Sequence, residues 1–210
     1  MEEQMDIEYC VRKRKPVEQP YKLLQPSMFN HIASEIRREK HLLEAAPGCL
    51  QFSYEDGFGV VALTKDGRPV GHTRLHFLLG REHRLGGWLE LGSTWVHKDF
   101  RGNGINREMY RLLLPLHNQQ YNIVATTTNV GSLAVGEEFG FVSVHRKSLP
   151  PEVWQNSCCC PLSKTGASEP NNHDCQLAHG EPQQLRRIAA CWFRVTPETA
   201  ARLNLESALV

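Results

Sequence analysis

The chain has 210 residues, 40% hydrophobic and 22% charged, the balance of an ordinary globular protein with enough apolar content for one sizeable core. Its 24 basic and 23 acidic side chains leave a formal net charge of +1, so no global field draws in nucleic acid or an anionic membrane. No apolar run approaches the roughly 18 residues needed to span a bilayer, and the acidic opening Met-Glu-Glu-Gln-Met-Asp is too polar for an export signal. The expected location is therefore the cytoplasm, where the seven cysteines read as thiols or metal ligands before disulfides.

Residues 1–24 mix charges and prolines without periodicity and read as an N-terminal arm; the basic run Arg12-Lys-Arg-Lys15 is expected to be solvated rather than to bind nucleic acid. From Ser27, a residue suited to a helix cap, Phe29, Ile32, Ile36 and Leu43 fall on one helical face, and Pro47-Gly48 is expected to stop the helix. Residues 59–64 and 69–79 read as two strands joined through Lys65-Asp66-Gly67-Arg68, a strong hairpin signal. In the second strand His72, Arg74 and His76 share a face opposite Thr73, Leu75 and Phe77. That polar row is expected to be a wetted sheet face, with a substrate cleft as the alternative.

After a polar loop at 80–87 with Arg81, His83 and Arg84, the run Trp88-Leu-Glu-Leu-Gly-Ser-Thr-Trp-Val96 is apolar and β-branched enough for a buried strand. It leads into His97-Lys-Asp-Phe-Arg101-Gly102-Asn103-Gly104, and then Ile105, Met109, Leu112, Leu113 and Leu116 recur at helical spacing. A glycine-rich turn that opens a helix can aim backbone N–H groups at a phosphate, with the helix dipole behind them. The segment is a candidate pyrophosphate cradle. Further on, residues 121–127 read as a strand, 129–139 as a short helix closed by Gly140, and 141–146 as another strand.

Residues 148–184 lose all periodicity, with Pro150, Pro151, Pro161, Pro170 and Pro182 among Cys, Asn, Ser and Gly, and read as an insertion. Cys158, Cys159, Cys160, His173, Cys175 and His179 could supply a tetrahedral zinc site, but their spacing is unlike Cys-x-x-Cys knuckles. Surface cysteines in a flexible loop, with no metal, are the expected reading, ahead of a structural zinc or a redox thiol pair. Periodicity returns in a strand at 187–195, after which Thr196 as cap and Pro197 at the first helical position begin a last helix through Leu205.

Two blocks in this order resemble the GNAT superfamily of acyl-CoA-dependent N-acyltransferases. Trp95-Val96-His-Lys-Asp-Phe-Arg101-Gly-Asn-Gly104-Ile105-Asn106 is similar to the family's pyrophosphate motif, Arg/Gln-x-x-Gly-x-Gly/Ala after a strand. Asn129-x-x-Ser132 followed by Phe139-Gly140-Phe141 is similar to its Asn-x-x-Ala helix and terminal Gly-Phe. The likeness covers residues 20–146 and 187–205. It implies an α+β fold: a splayed mixed β-sheet flanked by helices in one domain at 25–205, with the Cys-rich insertion before the last strand and a tail at 206–210. Acyl-CoA, most simply acetyl-CoA, is the implied co-substrate, its pantetheine entering the splay beside the fourth strand. The backbone of Thr94, Trp95 and Val96 would pair with the pantetheine, the amides of Arg101, Gly102, Asn103, Gly104, Ile105 and Asn106 would hold the pyrophosphate, and Asn129 and Ser132 would complete the site.

Two positions depart from the pattern. Asn106 stands where Gly or Ala is usual and adds a side-chain donor. Gly136 stands where many members carry a tyrosine that protonates the leaving thiolate, so no general acid is assigned; Tyr121 or a water are the alternatives. Amine acylation needs a neutral amine, a base for its proton and donors for the oxyanion. Glu90, six residues before Val96, is the implied catalytic base, unless it pairs with a neighbour such as Arg74 or faces solvent; the amides of Trp95 and Val96 would polarise the thioester carbonyl. The expected activity is acetyl transfer to a small-molecule or peptide amine, with a homodimer left open. Two rivals remain: long-chain acyl transfer from acyl carrier protein or CoA, as in autoinducer synthases, and a non-catalytic acyl-CoA sensor or interaction domain.

Overall fold

The computed structural model describes residues 6–11, 24–39, 42, 45–127, 129–144, 148–157 and 192–205. Among them run seven strands in a mixed sheet, ordered β1-β2-β3-β4-β5-β7-β6, with helices flanking it. The chain groups into two compact units, one from Met1–His76 with Leu91–His117 and the other from Phe77–Glu90 with Asn118–Val210.

In the first unit, β1 (Ile7–Val11) pairs antiparallel with β2 (Gly59–Thr64), and β2 pairs antiparallel with β3 (Pro69–Leu79). The strand at Ile7–Val11 falls where the sequence suggested an aperiodic arm. Five residues are too few to show a period, and the segment is recognisable only through its ladder, Ile7 opposite Thr64 to Val11 opposite Val60. The β2–β3 hairpin forms as expected: Gly67 N donates to Thr64 O at 2.8 Å, and Thr64 N to Arg68 O at 2.9 Å.

Helix α1 (Pro26–Arg38) buries Phe29, Ile32, Ala33 and Ile36, the expected face. Its cap is Gln25, without a side-chain bond, and Pro26 takes the first turn; Ser27 is inside the helix. Leu43 lies outside the described residues. Pro47 starts helix α2 (Pro47–Glu55) instead of stopping α1, because a proline's missing N–H and fixed φ suit a first helical turn. Phe29, Ile32, Ile36, Leu50, Tyr54, Val61, Leu63 and Trp95 form the core under α1 and α2. Helix α3 (Ile105–Leu113) packs against β2 and β1 and passes over Gly71 of β3. There Gly71 permits the close approach: a Cβ would lie 2.9 Å from Ile105 Cγ2.

The polar row of β3 is not a wetted face. His72 is fully buried, as is Thr73 on the other side, while Arg74 and His76 are half-buried. Arg74 reaches toward the carbonyl of Cys49 in α2.

In the second unit β7 (Trp192–Val195) runs antiparallel between β5 (Asn122–Thr127) and β6 (Val142–Val144), so Val195 faces Val124 on one side and Val142 on the other. Val124, Val144, Phe193 and Val195 join Trp88, Leu149 and Val153 in its core. Val153 belongs to helix α5 (Pro151–Ser157), which occupies the start of the stretch read as aperiodic; its two turns are too short to show a period. Helix α4 (Val130–Glu138) follows β5, and α6 (Pro197–Arg202) closes the unit with Thr196 capping Thr199 N and Pro197 in the first turn, as expected. The cysteine-rich candidates Cys158, Cys159, Cys160, His173, Cys175 and His179 lie outside the described residues.

Candidate active site

Strand β4 (Trp88–Val96) delivers the chain into the turn. His97 Nδ1 accepts from Asp99 N at 3.4 Å and caps a single 3₁₀ turn over Lys98–Phe100. Asn103 Nδ2 then donates to Phe100 O at 3.1 Å and Arg101 O at 3.2 Å, which closes the loop on itself. Gly102 and Gly104 both take left-handed backbone, with φ of 83° and 73°, and Gly104 is the N-cap of α3. Gly104 has no side chain and so gives this helix no side-chain cap. Its first intrahelical bond runs from Glu108 N to Gly104 O at 3.0 Å, so the N–H groups of Ile105, Asn106 and Arg107 precede the helical ladder. Among the described residues a Cβ at Gly102 would meet nothing within 4 Å, so none of them closes the cradle on that side. This is the donor geometry of an anion site at a helix N-terminus.

Arg101 supports the cradle and does not point into it. Its Nε donates to Val96 O at 3.0 Å and its guanidinium ion-pairs with Glu39, one residue past α1. The pair is exposed and contributes little energy, but it fixes where the loop leaves the strand. Asn106, the unusual residue at the motif's last position, bonds Tyr110 one turn along α3. Tyr110 is buried, and burial pushes its phenol above the ordinary value, keeping it neutral. Its hydroxyl lies 3.4 Å from Thr94 Oγ1, which sits 2.8 Å from Thr73 Oγ1. A buried hydroxyl chain thus links β3, β4 and the start of α3.

Alternation along β4 breaks at Ser93, whose φ of 50° is left-handed. Gly92 sits against His76, and Ser93 Oγ accepts from Arg74 Nε at 3.2 Å, so two successive residues address the same β3 row. Thr94 then turns to the α3 side and Trp95 back into the core. That is a β-bulge. Trp95 is buried to 2% exposure, its side chain packed in the core of the first unit.

In the second unit Glu90 does not face solvent: it is 4% exposed, and Thr126 Oγ1 donates to its Oε1 at 2.6 Å. Thr126 was not legible as a partner in sequence, because only the placement of β5 brings it to Glu90. Asn129 Oδ1 accepts from Ser132 N at 3.2 Å, so the Asn-x-x-Ser pair is first of all the N-cap of α4. Tyr121 is buried, edge-on to Phe77 with centroids 5.7 Å apart and with Arg81 stacked over its ring. Beside Gly136 lies a residue the sequence reading passed over. Arg194 of β7 is buried, and its Nη1 donates to Leu133 O and its Nη2 to Glu137 Oε1, each at 3.0 Å. A Cβ at Gly136 would be 3.4 Å from Arg194 Nη1. The available signal was a lone charge inside the apolar run Trp192-Phe-Arg-Val195.

In this α+β fold a strand, a doubly left-handed glycine turn and a helix N-terminus follow one another, an arrangement compatible with an anion. The family model described as the acetyltransferase (GNAT) family matches residues 18–141, more than half of the chain. The chain belongs to this family and is an N-acetyltransferase of the GNAT type. Among solved structures it is similar to Rv2747 from Mycobacterium tuberculosis in complex with CoA and NLQ, at 18% identity and TM-score 0.52, over 83% of this chain and 97% of that one. It is also similar to the diaminobutyrate acetyltransferase EctA from Paenibacillus lautus, bound to L-2,4-diaminobutyric acid and coenzyme A, at 14% identity and TM-score 0.53, over 92% and 96%. At these identities the likeness is one of fold. No curated protein matches the chain.

Proposed function

We propose that the protein transfers an acetyl group from acetyl-CoA to the amine of a small molecule or peptide by direct attack. The observation that carries this reading is the open, uncapped start of α3 behind Gly102 and Gly104. The amides of Gly102, Asn103, Gly104, Ile105 and Asn106 would hold the diphosphate, with Arg101 fixing the loop, and the β4 backbone from Thr94 to Val96 would hold the pantetheine. Similar proteins solved with CoA support the choice of co-substrate.

In the reaction an amine nitrogen forms a bond to the thioester carbonyl, the carbon–sulfur bond breaks, and the amine gives up a proton. Glu90 would take that proton. Thr126 would orient it by donating a hydrogen bond to one carboxylate oxygen. The departing thiolate would draw its proton from water, since Gly136 offers no acid and Tyr121 is packed beneath Arg81. Arg194 beside Gly136 disfavours the long-chain alternative, because a guanidinium occupies the neighbourhood that the missing tyrosine would otherwise leave to an acyl tail. Among the described residues no helix is long and apolar enough to cross a membrane, which suits a reaction in the cytoplasm.

Calorimetric titration with acetyl-CoA, followed by thiol release across a panel of amines, tests the proposal. Binding with amine-dependent release is expected. Binding without release from any amine would favour the sensor, and absence of binding would overturn the reading.

A further inference from the structure

Ser93 is a left-handed, non-glycine residue inside a strand. For a residue with a Cβ this backbone is strained and persists where its surroundings over-determine it. Two side chains of β3 do so. His72 Nδ1 lies 3.1 Å from Ser93 O, and Arg74 Nε donates to Ser93 Oγ at 3.2 Å. A carbonyl can only accept, so His72 must carry its proton on Nδ1, and its buried Nε2 meets no partner among the described residues. Burial pulls the His72 pKa down to about 4, which keeps the ring a neutral, single donor at ordinary pH.

The consequence lies downstream. Gly92 and Ser93 both address the β3 row, so the pleat restarts one residue out of phase, with Thr94 beside Thr73 and Tyr110 and with Trp95 in the core. Without the bulge every side chain and peptide after Ser93 would change faces.

Resting on the acetyl-CoA reading, we infer that His72 is a positioning residue for the pantetheine subsite: its Nδ1–H fixes the Ser93 carbonyl and so sets how the Thr94–Val96 backbone is presented. His72 touches no reacting atom. It acts on the strand segment and leaves the phosphate loop alone.

The test compares two amide variants of the full chain. In His72→Asn the amide nitrogen falls close to the position of Nδ1 and can still donate to Ser93 O; in His72→Gln it is carried one bond too far. Titrations with acetyl-CoA read the whole site, and titrations with 3′-phospho-ADP, which has the diphosphate and no pantetheine, read the loop alone. His72→Gln is expected to weaken acetyl-CoA about tenfold, His72→Asn less than threefold, and neither to change 3′-phospho-ADP affinity. Equal acetyl-CoA affinities for the two variants, or equal losses for both ligands, overturn the inference. Should burial prevent either variant from folding, Ser93→Ala, at a half-buried position, removes the Arg74 acceptor; it is expected to weaken acetyl-CoA two- to threefold with 3′-phospho-ADP unchanged, and an unchanged acetyl-CoA affinity counts against the clamp. If the unaltered protein fails to bind acetyl-CoA, the functional reading fails first and is distinguishable by that result.

Discussion

Replacing Gly104 with alanine isolates backbone conformation from sterics. At φ 73° a Cβ would lie 3.6 Å from Arg107 Nη1, an ordinary contact with the end of a flexible side chain, so no clash is introduced. What remains is the left-handed penalty, roughly 1–2 kcal/mol for a residue with a Cβ. If alanine keeps the native turn, that penalty appears as lost stability, a melting temperature lower by about 2–8 °C for a chain of this size. If the turn relaxes instead, the first amides of α3 rotate away from the cradle, and acetyl-CoA affinity falls by about 5- to 30-fold for the same free energy. Thermal melting and calorimetry on one preparation therefore share a single quantity between two readouts. Gly104→Asn should recover part of either loss, because asparagine tolerates left-handed backbone. Alanine with unchanged melting temperature and unchanged affinity would refute the view that this conformation shapes the cradle.

Glu90→Gln should lower the turnover number by about 10²- to 10⁴-fold, the range for losing a general base, with acetyl-CoA binding intact; steady-state kinetics beside calorimetry checks both. Thr126→Val removes the hydroxyl that bonds Glu90 at 2.6 Å, and a bond to a charged group contributes about 1.5–3 kcal/mol; a roughly tenfold or greater fall in kcat/KM is expected, measured with the best amine from the panel. The depressed pKa of His72 makes stability depend on pH: the unfolded ring takes up a proton near pH 6.5 and the folded ring only near about 4, so stability is full above pH 6.5 and falls as the pH drops through this window. The total loss is about 3 kcal/mol, and urea unfolding at several pH values should show His72→Asn with a flatter profile. Thr196→Ala removes the cap of α6 and should cost about 1 kcal/mol in denaturant unfolding, without effect on acetyl-CoA affinity.

Where chemistry is local, sequence alone determined the outcome. The β2–β3 hairpin follows from Asp66-Gly67, the strand Trp88–Val96 from its apolar and β-branched residues, and the cap at Thr196 from a side chain that reaches only three residues ahead. The glycine turn was legible as a turn for the same reason, since Gly102 and Gly104 tolerate the left-handed backbone they adopt. Where a residue's role depends on a neighbour far along the chain, only the tertiary structure decided. Ile7–Val11 is a strand because β2 offers it an edge, and Pro47 opens a helix instead of ending one. His72 is a buried donor to the Ser93 carbonyl in a β3 row that alternation alone marked as wet, and Glu90 meets Thr126 through the placement of β5. The physical divide is range: dihedral preference and capping act over a few residues and are written in order along the chain, whereas burial and long-range hydrogen bonds exist only once distant strands have met.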